Sequence, residues 1–260
     1  MRRFQDVYEL RGSIAGTTQR AGTQEEVMRM RTSMIAATVA LLTAAPLLAE
    51  EKGAGGGDAS GYVTGLGGFA RSIGNTTGDV VVEGGVRIAP HVMVIGNIGR
   101  FGNLQADLQP TLDATTSALA ANQGLSVIGG GSVPASYFTG GLRVEIPING
   151  SVMPYVLGGV GVARLNPTAL FTFSSGILPD GSTPAVGTDV TTAITSAGSF
   201  TAPPASSAMM FTLGGGVQVP VAPHWVVDAG YRFSRIAADT TLSALSLTTN
   251  GMTFGFGYRF

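Results

Sequence analysis

Thr253-Phe254-Gly255-Phe256-Gly257-Tyr258-Arg259-Phe260 closes the chain and decides its fold class. Successive side chains of a strand point to opposite faces. Phe254, Phe256, Tyr258 and Phe260 therefore share one face, and Thr253, Gly255, Gly257 and Arg259 the other. Four aromatics on an exposed edge strand would template aggregation, so this face requires apolar surroundings. A bilayer around a closed barrel supplies them while leaving no backbone polar group unpaired. The competing reading is the last strand of a soluble sandwich, buried on its aromatic face.

The alternation recurs upstream. Segment 224–235 sets Trp225, Val227, Ala229, Tyr231 and Phe233 against Val226, Asp228, Gly230, Arg232 and Ser234. Segment 79–89 sets Val80, Val82, Gly84, Val86 and Ile88 against Val81, Glu83, Gly85 and Arg87. Segment 136–147 sets Phe138, Gly140, Leu142, Val144 and Ile146 against Tyr137, Thr139, Gly141, Arg143 and Glu145. In segment 207–220, Phe211, Leu213, Gly215, Val217 and Val219 oppose Thr212, Gly214, Gly216 and Gln218. Each of the charges named in these sets falls on the face opposite the apolar one. Segments 61–71, 91–102 and 152–165 alternate too, but are too glycine-rich for their faces to be assigned, and 250–260 completes a set of eight. Most have about the 9–11 residues that a tilted membrane strand needs.

Connection lengths alternate as well. Ala89-Pro90-His91, Asn149-Gly150 and Ala222-Pro223-His224 are tight turns, Asn-Gly the strongest because both residues tolerate positive φ. Residues 72–78, 103–135, 166–206 and 236–250 are expected as longer loops on the opposite rim. Within the loops, 104–123 suits a short helix and 189–197 a turn or two of another with Asp189 as N-cap. The predicted architecture is all-β: an eight-stranded antiparallel transmembrane up-and-down β-barrel over residues 60–260, its short turns periplasmic and its long loops outside. A continuation of 169–174 as strand would bring the count to ten.

Composition agrees. The 39 glycines of the 260 residues sit largely inside alternating segments, where a narrow lumen needs room for neighbouring side chains. Charged residues make up only 12% of the chain, and the absence of Cys excludes disulfides and thiolate metal sites. Met28-Arg29-Met30-Arg31 precedes an uncharged run from Met34 to Leu48, too short for a membrane helix and interrupted by Pro46. This reads as a signal peptide over 28–49, cleaved after Ala49, with 1–27 a non-native upstream extension and 50–59 a flexible linker. Beyond Ala49 remain nine basic and 12 acidic residues without a basic stripe, which excludes a nucleic-acid binder.

A Gly-Gly-Val opening recurs in Gly84-Gly85-Val86-Arg87-Ile88-Ala89-Pro90-His91 and Gly215-Gly216-Val217-Gln218-Val219, and Gly140-Gly141-Leu142-Arg143-Val144 opens similarly. With Gly230-Tyr231-Arg232-Phe233 and Gly257-Tyr258-Arg259-Phe260, these residues resemble the small outer-membrane β-barrel proteins of Gram-negative bacteria, the OmpA-like and OmpW-like or opacity-type porin family. The resemblance covers about residues 60–260. It implies an outer-membrane location and a C-terminal signal, Thr253 to Phe260, read by the barrel-assembly machinery.

Glu83, Arg87, Arg143, Glu145, Asp228, Arg232 and Arg259 are expected in the lumen, which in an eight-stranded barrel is just wide enough for side chains to fill. They either pair and plug the bore or line a narrow pore for ions or small hydrophobes; the plug is the expected reading. Phe138, Phe211, Trp225, Tyr231, Phe233, Phe254, Phe256, Tyr258 and Phe260 are expected to face lipid, Trp225 and Phe260 at the periplasmic rim and Phe138, Phe211 and Phe233 at the outer one. His91 and His224 follow prolines in separate turns, away from any outer-leaflet substrate, and read as solvated residues, neither a general base nor a metal site. Gly65-Leu66-Gly67-Gly68 and Gly158-Gly159-Val160-Gly161 lack the strand-to-helix junction of a phosphate loop. No enzyme activity, cofactor or metal is expected. The expected partners are outer-membrane lipid and lipopolysaccharide, the assembly machinery, and a surface ligand on loops 103–135 and 166–206.

Overall fold

The computed structural model describes residues 60–72, 75–104, 108–148, 151–237 and 246–260. The expected extension, signal peptide and linker, and the Asn149-Gly150 turn, lie outside the described residues. In chain order the elements are β1 (Gly61–Ser72), β2 (Asn75–Ala89), β3 (Val92–Phe101), α1 (Leu108–Gln123), β4 (Ser126–Ser132), β5 (Ala135–Glu145), β6 (Met153–Leu165), β7 (Thr168–Ser175), α2 (Thr191–Ser196), β8 (Ser206–Pro220), β9 (Trp225–Ile236) and β10 (Leu247–Arg259).

Eight strands close into an antiparallel barrel in the order β1-β10-β9-β8-β6-β5-β3-β2. The first and last strands seal it: Tyr62 pairs with Arg259, and Gly61 and Phe260 exchange backbone hydrogen bonds of 2.9 and 3.0 Å. Closure leaves no barrel edge to aggregate. The faces follow the alternation, and packing assigns the three glycine-rich strands. Tyr62, Thr64 and Leu66 of β1, Met93, Ile95 and Asn97 of β3, and Tyr155 and Leu157 of β6 are buried inside.

Two loop expectations are corrected. β1 turns almost directly into β2, Ser72 pairing with Asn75 and Arg71 with Thr76, so 72–78 is not a long loop. Thr76 and Thr77 are β-branched and continue the ladder, and Gly78 points outward into open space, punctuating nothing. β10 likewise opens at Leu247 and not at 250, because Leu247 inserts into the apolar interior. The other strand bounds differ from expectation by small shifts at the ends.

The other two strands, β4 and β7, pair only with each other, Ser132 against Thr168 through to Ser126 against Ser175. The continuation at 169–174 is therefore a strand, but one that leaves the barrel at eight. β4 comes from the β3–β5 loop and β7 from the β6–β8 loop, so the two long loops build one cap. Helix α1 packs on β4 through Leu108 and Leu112, which lie where side chains on Gly129 and Gly131 would stand. The Gln109 side chain bonds both the carbonyl of Gly129 and the N–H of Gly131. Gly124, at φ 62°, ends the helix in the left-handed conformation that glycine adopts freely. At α2 the first helical residue is Thr191 and Val190 stands at the N-cap; Asp189, one position earlier, accepts from the Thr191 N–H at 2.9 Å. Asp189 thus caps the first turn without being the N-cap residue.

One apolar core runs through both parts. Leu66, Val81, Phe101, Met210, Ile236 and Leu247 in the barrel belong to the same buried cluster as Leu112, Leu125, Phe171, Phe173, Ile194 and Phe200 in the cap. The middle of the outer wall is apolar too: Val80, Leu213, Val160, Phe254 and Phe256 are each about half exposed or more.

Candidate functional site in the barrel lumen

Inward alternation delivers the charges and the register levels them. Nearest the short turns, Glu145 accepts from Arg87 at 2.9 Å and from Arg259 at 3.1 Å. In the middle, Glu83 holds two arginines, Arg232 at 2.5 Å and Arg143 at 3.2 Å. Arg143 also lies 3.7 Å from Asp228. Its guanidinium is 3.5 Å from the centre of the Tyr155 ring and 4.8 Å from that of Tyr62, and the side chain is fully buried. The structure thus brings all seven sequence-selected charges into two linked sets of ion pairs.

The sequence reading did not select five of the lumen's polar residues. Tyr62 donates to Glu83 at 2.5 Å, Tyr155 to Asp228 at 2.8 Å and Tyr137 to Asp79 at 3.0 Å, while Asn97 accepts from Arg232 at 3.1 Å. Asp79 balances the lumen at four carboxylates, with Glu83, Glu145 and Asp228, to four arginines. Tyr62, Asn97 and Tyr155 lay in segments whose faces could not be assigned, and Asp79 stood at the first position of segment 79–89, at the strand's expected edge.

A signal for the tyrosines existed in the glycines. Tyr62 is paired with Gly85, Tyr137 with Gly99 and Tyr155 with Gly216. A Cβ on Gly99 would stand 2.5 Å from the Tyr137 ring, and one on Gly216 2.7 Å from the Tyr155 hydroxyl. The outer ring atoms of Tyr62 and Tyr137 and the hydroxyl of Tyr155 occupy the space their glycines leave open, and each hydroxyl donates to a carboxylate. This explains inward glycines in strands, where glycine otherwise costs stability.

Toward the loop end the lumen is lined by Ala70, Phe101, Met210, Ile236 and Leu247 together with the hydroxyl-bearing Ser72, Thr77, Ser234 and Thr249, and the apolar ones belong to the same buried cluster as the cap. A void of about 10 Å³ lined by Ala70, Asp79, Phe101 and Arg232 has room for about one water. On the outside of the cap a groove of about 700 Å³ lies between Leu178, Pro179, Asp180 and Pro184 and the α2 residues Thr192, Ala193 and Ser196.

The expected lipid-facing aromatics all point outward. Trp225 stacks on Phe256 at 4.8 Å and meets Tyr258 edge-on at 5.2 Å, forming a cluster at the turn end. The Phe260 ring lies where a side chain on Gly61 would stand. Phe138, Phe211 and Phe233 sit toward the loop end, and Tyr231 and Phe254 between. His91 is exposed at φ 63°; His224 is exposed too, yet its Nδ1 lies 3.1 Å from the Arg259 carbonyl and its ring stacks on Tyr258. Both glycine runs lie inside strands β1 and β6. Among the described residues no group of three or more His, Asp or Glu is placed to hold a metal.

No curated protein matches this sequence. Among solved structures, Neisserial surface protein A aligns over 79% of this chain and 100% of its own, at 15% identity and a TM-score of 0.47. Ail, the attachment invasion locus protein of Yersinia pestis, aligns over 78% of this chain and 97% of its own, at 16% identity and 0.40. A major outer membrane protein from Thermus thermophilus aligns over 77% and 99%, at 11% identity and 0.41. Residues 34–260 match the family described as outer membrane protein beta-barrel domain, which covers every barrel strand. The chain belongs to this outer-membrane β-barrel family.

Proposed function

We propose that the protein is a non-enzymatic barrel of a Gram-negative outer membrane, exported by the 28–49 leader, with a closed lumen and a folded cap as its working surface. Its role is membrane integrity or surface interaction. The observation that carries this reading is the paired network of Arg143, Glu83, Arg232 and Asp228 across the bore, beside an apolar cluster that continues into the cap. Charges arranged for conduction stay hydrated, whereas these are buried and mutually neutralised. The loop end faces outward, lipid and lipopolysaccharide surround the wall, and the groove beside α2 is the surface open to an extracellular ligand. The strand Thr253 to Phe260 is the segment offered to the barrel-assembly machinery.

Single-channel recording of the refolded protein in a planar bilayer tests the closed lumen. Silence from a sample with folded-barrel electrophoretic mobility is expected. Reproducible discrete steps would replace this reading with a narrow porin.

A further inference from the structure

The described barrel strands carry eight arginines and four carboxylates, and the two faces divide them unequally. All four carboxylates and four of the arginines point inward. Arg71, Arg100, Arg164 and Arg235 point outward, with no carboxylate on that face of the described strands. Each stands at or next to the loop end of its strand, in β1, β3, β6 and β9. The turn end of the outer face has aromatics and no arginine. The two rims are therefore built for different headgroup chemistry.

Two of these arginines share a site. Arg100 is paired with Ser136, and Ser136 with Arg164, so the three form one outward rung across β3, β5 and β6. Two strand spacings put the arginine backbones about 10 Å apart, within reach of one anion by two long side chains. Neither arginine makes an ion pair or hydrogen bond with a described residue. The rung directly beneath is Ile98, Phe138 and Val162, wholly apolar. From Ser136 to Ile146 a tilted strand climbs about 25 Å, the height of a lipid-facing apolar band. The guanidinium pair thus stands where acyl chains end and headgroups begin.

We propose that Arg100, Ser136 and Arg164 form a binding site for the phosphate-bearing headgroup of a lipid in the leaflet at the loop end. Its acyl chains lie on Ile98, Phe138 and Val162. Guanidinium forks match phosphate oxygens in pairs, and the hydroxyl of Ser136 adds a donor between them. The inference rests on the proposed lipid contact of the outer face and is independent of whether the lumen is closed.

Native mass spectrometry of the refolded protein, released from mixed micelles of phosphatidic acid and phosphatidylcholine, tests it. Phosphatidic acid should be retained in preference to phosphatidylcholine, and Arg100→Gln with Arg164→Gln should weaken that retention about tenfold. The matched pair Arg71→Gln with Arg235→Gln removes equal charge and should weaken it much less. Equal loss from both pairs would mean net charge alone and overturn the site, as would full retention by the first pair. Displacement by millimolar inorganic phosphate would mark a free-anion site and overturn the lipid assignment. Incorporation of all variants into neutral phosphatidylcholine vesicles reports separately on the lipid-facing wall.

Discussion

Glu83 and Arg143 lie 3.2 Å apart although their strands, β2 and β5, are separated by β3. Arg232 of β9 reaches the same carboxylate from the other side of the barrel. One carboxylate thus cross-links strands that share no backbone hydrogen bond, and the arginines it neutralises fill the bore.

Removing that carboxylate leaves two buried guanidinium groups under-compensated. Glu83→Gln should destabilise the folded barrel by about 3–5 kcal/mol, the usual cost of breaking a buried pair. Reversible urea unfolding in lipid vesicles measures it. A joint replacement by Glu83→Leu, Arg143→Met, Arg232→Met and Asp228→Asn should cost less than the single change, since every charged member of this ion-paired set is then removed together.

The tyrosine–glycine fit makes a second prediction. Gly85→Ala places a methyl group against the Tyr62 ring and should cost about 1–3 kcal/mol by overpacking. In a Tyr62→Ala background the same substitution should be nearly free, because the atoms it meets first are gone. A double-mutant cycle on unfolding midpoints gives the coupling, and a coupling near zero would refute the fit.

The cap should loosen without the barrel. Leu112 is fully buried between α1 and β4, and Leu112→Ala should cost about 2–5 kcal/mol locally. Hydrogen exchange should accelerate across residues 108–132 and 168–175 while the barrel strands stay protected. If the lumen network closes the bore, this variant should also stay electrically silent.

Asp189 supplies a pH-dependent contact outside the membrane. The hydroxyl and N–H of Thr191 hold its carboxyl below the ordinary aspartate range. A lowered pKa means the contact is complete above the unfolded value of about 3.9 and fades only as pH falls through the lower folded value. An NMR titration should therefore find the first turn of α2 unchanged from neutral pH to about 5. Asp189→Ala should fray that turn at all of these pH values.

Much of the barrel was legible in the chain because a strand's two-residue period writes each face directly. The terminal Phe254, Phe256 and Tyr258, and the charges Glu83, Arg143 and Arg232 opposite apolar neighbours, fix facing without knowledge of partners. Loop ends were less legible: Thr76, Thr77, Thr248 and Thr249 read as polar loop residues, yet their β-branched side chains extend the ladders of β2 and β10.

By itself, then, the sequence determined an antiparallel barrel and the facing of its clearly alternating segments, with seven of the inward charges, because these are local consequences of alternation; whether 169–174 raised the count from eight to ten stayed open. Tertiary structure alone decided which charge meets which, since Glu83 finds Arg143 and Arg232 through register and closure. It alone placed Tyr62, Tyr137 and Tyr155 over their glycines, a contact that exists only between strands. It alone joined β4 to β7, because two segments 35 or more residues apart form a sheet only when the barrel beneath holds their loops side by side.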